Sequence, residues 1–324
     1  MPSSGTTPIE PQGITDTSIE ISVKGKWIKV PALYVDGKHI VVKGKWIRLA
    51  VIEAEEWLDR ELEDPELCVN KLKERSHGLH ADIFTFTQSV PGSVPKFNYH
   101  MEPESVAAIR LTSFKDWWEK LPQESRKNVR RAQKRGVVVT VREFDDDLIR
   151  GIIGVNNDSP LRQGRHYTHY GKVFDQVKRD QSSFLDRSAF VCAHLEDELI
   201  GFMKVVYRRE VASILLMLPK ASQQDKRPAN ALLAKAVALC EERGIRYLTY
   251  GLFNYGNKRD SSLKEFKHRN GFEEILTPRF YVPLTIWGSL SLKLNTHRGL
   301  REILPDTLIS LAARLRAKWY KLGS

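Results

Sequence analysis

Between residues 189 and 285 three apolar runs follow one another through short polar turns, and this succession constrains the fold more than any other part of the chain. AFVCAHL, LIGFMKVVY and VASILLML are separated by EDE and RRE, connections tight enough to join antiparallel neighbours, so the three runs read as a meander. From Pro228 apolar residues fall at Ala229, Leu232, Leu233, Ala236, Val237 and Cys240, the spacing of an amphipathic helix. Pro228 suits the first helical position and Gly244 the C-terminal stop. IRYLTYG then reads as a strand, SSLKEFKHRNGF as a short helix ended by Gly271, and RFYVPL as a last strand. The order is mixed α/β.

The N-terminal part carries a near-repeat: VKGKWIKV at Val23 to Val30 returns as VKGKWIRL at Val42 to Leu49. Both copies alternate at period two, and Asp36-Gly37 between them is a hairpin signal, so a small β-meander is expected. Trp27 and Trp46 could form a ligand platform, with cross-strand aromatic packing the plainer account. Residues 53–76 are acidic and helical in composition, broken into two pieces by Pro65. ADIFTFTQ and SVAAIRL read as strands, and SFKDWWEKL as a short helix capped by Ser113. After Pro122, QESRKNVRRAQKRG places Arg126, Lys127, Arg130, Arg131, Lys134 and Arg135 along one stripe of a helix ended by Gly136, with Glu124 the lone acid. VVVTVREF follows as a strand. These signals divide the chain into a disordered tail (1–15), a β-rich lobe (16–121), an α/β domain (122–285) and a basic amphipathic tail (286–324).

The element order of 189–285 resembles the acyl-CoA N-acyltransferase fold of the GNAT superfamily. The resemblance implies an α/β (α+β) GNAT-like mixed sheet with flanking helices, preceded by a smaller, degenerate GNAT-like lobe. In that family the loop Q/R-x-x-G-x-G/A caps the helix after the meander and binds the CoA pyrophosphate through backbone amides. Here the stretch is Gln224-Asp225-Lys226-Arg227-Pro228-Ala229, with Arg227 and Pro228 in place of small residues. By this resemblance Gln224, Lys226, Arg227, Ala229 and Asn230 are the cofactor contacts. Many GNAT enzymes end in N-x(9)-Y-x-x-x-G-F, whose Tyr protonates the leaving thiolate. Here Asn257 leads to Phe266-Lys267-His268-Arg269-Asn270-Gly271-Phe272, so Lys267 holds the place four before the glycine. That ending, with the basic segment Ser125 to Val139, is similar to the Fem family of aminoacyl-tRNA-dependent transferases, which duplicate the GNAT fold and extend peptidoglycan stem peptides. The resemblance implies that Lys267 stabilises charge developing on the acyl oxygen or the leaving group. It also implies acyl-CoA or aminoacyl-tRNA as donor.

Other candidates come from residue chemistry. Arg126, Arg130 and Arg131 would hold a pyrophosphate or tRNA phosphate unless the stripe is only a solvated face. DSPLRQGRHYTHYGK at 158–172 concentrates Arg162, Arg165, His166, Tyr167, His169 and Tyr170 without an apolar period, as a substrate-contacting segment would. His166 or His169 would serve as general base. By the resemblance, Tyr250, Asn254 and Tyr255 at the end of the strand after the helix stand where the fold opens its acceptor cleft, with a structural role for Tyr250 equally open, Tyr255 a catalytic candidate and Asn254 and Asn257 substrate contacts.

Charge narrows the partners: 51 Lys+Arg against 40 Asp+Glu give +11, favouring phosphates, nucleic acid or an anionic membrane face. In the tail, Leu308, Leu311, Ala312, Leu315, Trp319 and Leu322 share a helical face, with Arg314, Arg316, Lys318 and Lys321 mostly off it, a pattern that suits either an anionic membrane or docking onto the core. The three cysteines, Cys68, Cys192 and Cys240, show no metal-ligand spacing, so no metal is expected and a reducing compartment is. No signal peptide or spanning segment is read, which points to the cytoplasm, with peripheral attachment to the inner membrane face as a variant. G-x-S-x-G and P-loop motifs are missing, against hydrolase and NTPase readings. The expectation is acyl or aminoacyl transfer by direct attack to an amine on a cell-envelope or polysaccharide precursor, small or lipid-linked. The alternatives are CoA-dependent N-acetylation of a small molecule or protein amine, and a non-catalytic basic module for nucleic acid, tRNA included, or a membrane surface.

Overall fold

The computed structural model describes residues 15–74, 79–162, 165–254 and 262–298. Strands β1 (Thr15–Val23), β2 (Lys26–Val35), β3 (Lys38–Lys43) and β4 (Leu49–Ile52) form the expected antiparallel meander. Asp36 and Gly37 both take positive φ, 50° and 70°, the pairing that matches the twist of a two-residue hairpin. The near-repeat proves to be largely a repeat of turns: Lys24-Gly25 closes β1–β2, and Gly44 lies in the bend from β3 to β4. The two tryptophans consequently do not pack across a ladder. Trp27 lies opposite Ser22, and Trp46 is 89% exposed.

Helix α1 (Pro65–Lys73) starts with Pro65 in its first turn and Asp64 capping the Leu67 N–H. It buries Cys68, Val69 and Leu72 and delivers the chain to β5 (Ile83–Thr87), which runs parallel to β4. The acidic residues before Pro65 are less helical than their composition predicts. Only Glu55–Trp57 form a single 3₁₀ turn, because the Glu55 carboxylate accepts from the Thr87 N–H at 2.7 Å and is drawn against the sheet.

The chain continues through β6 (His100–Arg110), α2 (Phe114–Lys120), α3 (Gln123–Lys134), β7 (Val137–Arg142) and α4 (Asp146–Asn156). The two-residue strands β8 (Leu161–Arg162) and β9 (Arg165–His166) pair with each other, and α5 (Phe174–Gln181) follows. The meander read from the sequence is β10 (Ser188–Leu195), β11 (Glu198–Arg208) and β12 (Val211–Pro219). Helix α6 (Pro228–Glu242) then leads to β13 (Tyr247–Leu252), parallel to β12. Last come α7 (Ser262–Arg269), β14 (Glu273–Pro283) and α8 (Ile286–Lys293).

Among the described residues twelve strands form one sheet in the order β1-β2-β3-β4-β5-β14-β6-β13-β12-β11-β10-β7. Each half repeats one plan, a meander, a helix and a strand parallel to the meander's last. The middle of the sheet breaks sequence order. β14, the last strand, sits beside β5 of the first half, and β6 sits beside β13 of the second. The two exchanged strands pair antiparallel with each other from His100 to Ala108.

Both faces of the second half are covered. In β10, Ala189, Val191 and Ala193 join the core under α2, α3 and α6, while Phe190 and Cys192 join the core under α4 and α5. Burial on both faces explains why these strands read as continuous apolar runs. A third core packs α1 against β2–β5 and β14 through Cys68, Leu72, Phe84 and Phe280. All three cysteines are buried and free.

Gly271 ends α7 with φ 85°, and a Cβ there would lie 3.0 Å from Trp117 Nε1, which itself donates to Asn270 O. Gly271→Ala is expected to cost about 1–2 kcal/mol, lowering Tm by about 2–6 °C. An unchanged melting curve would show that this turn tolerates a side chain.

Candidate functional site

The exchange leaves both parallel strand pairs short. β12 and β13 are in register only from Val211 to Ser213 against Tyr247 to Thr249, after which β13 swings away at Gly251, φ 55°. β4 and β5 pair only from Leu49 to Val51 against Ile83 to Thr85. Between these splayed ends lies a narrow cleft of about 50 Å³, open to solvent and lined by residues of both halves, among them Glu55, Glu56, Glu104, Arg208, Ser213, Leu252 and Thr277.

Its charge is organised by Arg279 on β14. The guanidinium donates to Glu104 through two atoms, Nε to Oε1 at 2.8 Å and Nη2 to Oε2 at 3.0 Å, and reaches Glu55 Oε2 at 3.3 Å. One cation thus serves two carboxylates. Burial pushes the Glu55 carboxyl up to about 7, although Arg279 and the Thr87 N–H favour its charged form. Arg208 spans the cleft from β11, donating to Leu58 O and Ser213 Oγ, while its Nε has no hydrogen-bond partner. The Thr277 hydroxyl, on a residue 1% exposed, also has none. Buried polar atoms left over at a cleft wall are what a ligand would satisfy.

Lys267 stands where the resemblance put it, on the last turn of α7, and it is fully buried although the rest of that helix is exposed or half-buried. Its ammonium donates to Leu252 O at 2.7 Å, on the cleft wall, and lies 4.6 Å from the centre of the Tyr250 ring. Burial draws its pKa down to about 8, with the negative charge of Glu56 working the other way. Lys204, the other fully buried lysine described, is different in kind. Its ammonium donates to Gln181 O and Ser183 O and staples β11 to the loop after α5.

The remaining sequence candidates fall into separate places. Asn254, two residues beyond the cleft's Leu252, donates to Glu274 and Ser105 and accepts from Lys264. Tyr255 and Asn257 lie outside the described residues. His169 is held by Asp180 at 3.0 Å, and the same carboxylate accepts from Lys172 at 2.6 Å and from the Trp27 indole at 2.9 Å. Lys172 also donates to Gly25 O, so this knot ties the β1–β2 turn and the segment before α5 to the last turn of α5. Arg162 clamps Val155 O and Pro219 O and stacks on Tyr167, whose hydroxyl donates to Asn156. His166 and Tyr170 are exposed, and Arg165 lies in β9. None of these lines the central cleft.

At the start of α6, Arg227 takes the left-handed φ of 57° and Pro228 offers no N–H, while the Asn230 N–H returns to Arg227 O. The amides of Ala221 and Ser222 are taken by the Asp158 carboxylate. Gln224 and Arg227 are exposed, Lys226 and Ala229 half-buried, and Arg135 grips Asp225. The buried Asn230 donates to Asn270, which donates to Phe266 O, so it couples α6 to α7. On α3, Arg130 stacks 5.7 Å from Trp118 at a groove shared with α2 and α6, Arg131 donates to Asn128, and Arg126 is half-buried.

The sequence reading missed Glu55, Glu104, Arg208 and Arg279. A signal existed for Arg279, a lone cation inside the apolar strand ILTPRFYVP, since such a charge is buried only with a partner. His100, Glu102 and His297 also bring three metal-ligand groups together, but Glu102 already pairs with His297 at 2.9 Å and with Arg298.

No protein-family model and no curated protein matches the sequence. Solved structures do match the fold. The C-terminal domain (DUF2156) of a protein provisionally named a lysylphosphatidylglycerol synthetase, from Agrobacterium fabrum, superposes with a TM-score of 0.54 at 16% identity, over 81% of this chain and 86% of that one. A conserved protein of unknown function from Bacteroides thetaiotaomicron gives 0.51 at 10% identity over 78% and 86%. FemX gives 0.48 at 11% identity over 82% and 88%. The fold is GNAT-like, as the element order of 189–285 implied.

The Asp180 knot yields a pH-dependent prediction. Burial alone would raise this carboxyl, but hydrogen bonds from His169, Lys172 and Trp27 outweigh it and hold the pKa at about 2. A depressed carboxylate contributes stability that is present above its unfolded value and lost as pH falls through the folded one. Asp180→Asn is expected to cost about 1–2 kcal/mol at neutral pH, the deficit closing between about pH 4 and pH 2. Denaturant unfolding at several pH values checks this, and a deficit that persists at the acid end would assign the loss to something other than the carboxylate's charge.

Proposed function

We propose that this protein transfers an acyl or aminoacyl group to an amine on a cell-envelope precursor by direct attack, with no covalent enzyme intermediate. The observation that carries the reading is a cleft between the two halves of a GNAT-like sheet that is lined by Glu55, a buried carboxyl raised to about 7, and by Leu252, whose carbonyl accepts from the buried Lys267 ammonium behind the wall. Two groups with pKa values near the working pH are what proton transfer and charge stabilisation at an acyl carbon need.

In this reading Glu55 accepts a proton from the acceptor's ammonium, freeing the nitrogen lone pair. The nitrogen attacks the carbonyl carbon of the donor's ester or thioester, and its electron pair moves onto the carbonyl oxygen. Lys267 stabilises that oxyanion. Collapse breaks the bond to the leaving oxygen or sulfur, which takes up the second proton lost by the attacking nitrogen as the amide forms. Positioned reactants and charge stabilisation suffice, without a nucleophilic side chain. An envelope acceptor is supported by the resemblance of Phe266-Lys267 and the basic α3 to the Fem family, and by the name of the Agrobacterium protein, which specifies an aminoacylated lipid. The helix start at Pro228, with few free amides, suits a donor held through cations rather than through a backbone pyrophosphate cradle.

Single-turnover transfer to a lysine or amino-lipid acceptor, from an acyl-CoA set and from aminoacyl esters of a tRNA acceptor end, tests the reading and separates the donors. Lys267→Met, which keeps the stem volume, is expected to lower the rate by about 10²–10³-fold with little change in Tm. The wild-type rate should rise with pH through about 7, as Glu55 loses its proton, and fall above about 8, as Lys267 loses its own. Glu55→Gln should remove the lower limb. Full activity in folded Lys267→Met would overturn the assignment, and no turnover with any donor would favour a binding role.

A further inference from the structure

Helix α8 is arranged inside out. Its buried residues are Gly288, Ser291 and Leu292, whereas Ile286, Trp287, Leu290 and the following Leu294 are 87%, 69%, 43% and 60% exposed. The backbone imposes this. Thr285 caps the helix by accepting from the Gly288 N–H and donates to Asp82, and a Cβ on residue 288 would lie 1.9 Å from Asp82 O. Only the glycine side of the helix can therefore lie against the start of β5, and the large apolar side chains are turned outward. A helix that merely covered this end of the sheet would turn them inward.

The surroundings are cationic. The Asp82 carboxylate also accepts from the Arg48 N–H at 2.9 Å, which sets the β3–β4 turn, with Trp46 at 89% exposed, beside α8. A broad groove between them is lined by Leu72, Leu79 and Leu284, with Arg48 and Lys73 at its wall. Exposed Lys45 and Lys293 extend the rim, and Asp82, the acid lining the groove, is already engaged by Arg48 and Thr285.

We propose that α8 and the β3–β4 turn form the face on which the protein rests against an anionic lipid surface, Ile286, Trp287 and Leu290 entering the headgroup boundary and the lysines and Arg48 meeting lipid phosphates. Exposed Trp and aliphatic residues ringed by cations are the composition of an interfacial anchor. A second copy of the chain is a poorer occupant, because a stable dimer needs about 800 Å² from each partner and a two-turn helix ringed by like charge offers little to match it. The chain's own stretch from 299 to 324 is poorer too, since its Arg301, Arg314, Arg316, Lys318 and Lys321 outnumber Glu302 and Asp306 and would meet the same rim. The inference deepens the function proposed above by saying where a lipid-borne acceptor is met, but its test needs no turnover.

The test is flotation of the full chain with phosphatidylcholine vesicles and with mixed phosphatidylcholine–phosphatidylglycerol vesicles, at low and high salt. The wild type should bind the mixed vesicles, release with salt, and leave phosphatidylcholine largely alone. The triple variant Ile286→Ser, Trp287→Ser, Leu290→Ser removes only exposed side chains, so its melting curve should match the wild type while its partition falls at least about tenfold. Lys45→Glu with Lys293→Glu should weaken binding to the mixed vesicles alone. The proposal is overturned by wild-type binding that is absent or equal on both vesicles, by a triple variant that partitions normally, or by a wild-type dimer in sedimentation that the triple variant abolishes. Normal flotation of Lys267→Met together with normal turnover would sink the catalytic reading and leave this one standing.

Discussion

The structure depends on the exchange of two strands at its centre. β6 leaves the first half to pair with β13, and β14 leaves the second to pair with β5, so the halves are joined by backbone hydrogen bonds along β6–β14 rather than by packing alone. The side chains of the exchanged strands add a second bond between halves: Arg279 on β14 grips Glu104 on β6 and reaches Glu55, which precedes β5. A buried ion network of this kind adds little net stability over apolar packing, yet removing one member leaves a stranded charge. Its worth here is electrostatic. Burial raises the Glu55 carboxyl, with the Glu104 charge adding to it and Arg279 offsetting only part, so the fold supplies a proton acceptor as a by-product of holding its halves together.

What was legible in the sequence was what local chemistry decides. The 188–219 meander, α6 between Pro228 and Gly244, and the Ser113 cap of α2 are each written within a window of a few residues, through tight turns, a 3.6-residue period, or a side chain three residues from its backbone partner. The cleft is not local. Glu55 and Arg279 are 224 residues apart, and only the crossing of strands between halves makes them neighbours. The near-repeat misled for a related reason: a period-two pattern does not say where a strand stops, and Lys24-Gly25 and Gly44 turn the chain inside the motif. The 158–172 segment misled in the opposite way, because polar and aromatic residues without a period can serve one another. His169, Arg162 and Tyr167 are occupied by Asp180, by two carbonyls and by Asn156.

Lys204 and Lys267 show how little composition says about a lysine's role. Each is fully buried, and burial draws each pKa to about 8. Lys204 lies in the middle of a strand and gives its protons to the carbonyls of one loop, an arrangement that fixes that loop. Lys267 projects from the end of a helix and gives a proton to the carbonyl of Leu252, a residue of the cleft wall, while lying over the Tyr250 ring. The family resemblance pointed to the second, and its burial came from tertiary packing that the basic, water-soluble look of SSLKEFKHR conceals.

The exchange also sets an order of events during synthesis. β6 is complete at residue 110, but both of its partner strands, β13 and β14, are made only after residue 246. For the whole of that interval the nascent chain carries a strand with no neighbour on either side and, in β5, a second with one open edge. Unpaired edges are where chains recruit the wrong strand. The first half therefore leaves the ribosome as an unfinished sheet, whose gap closes only when the last strand has been made.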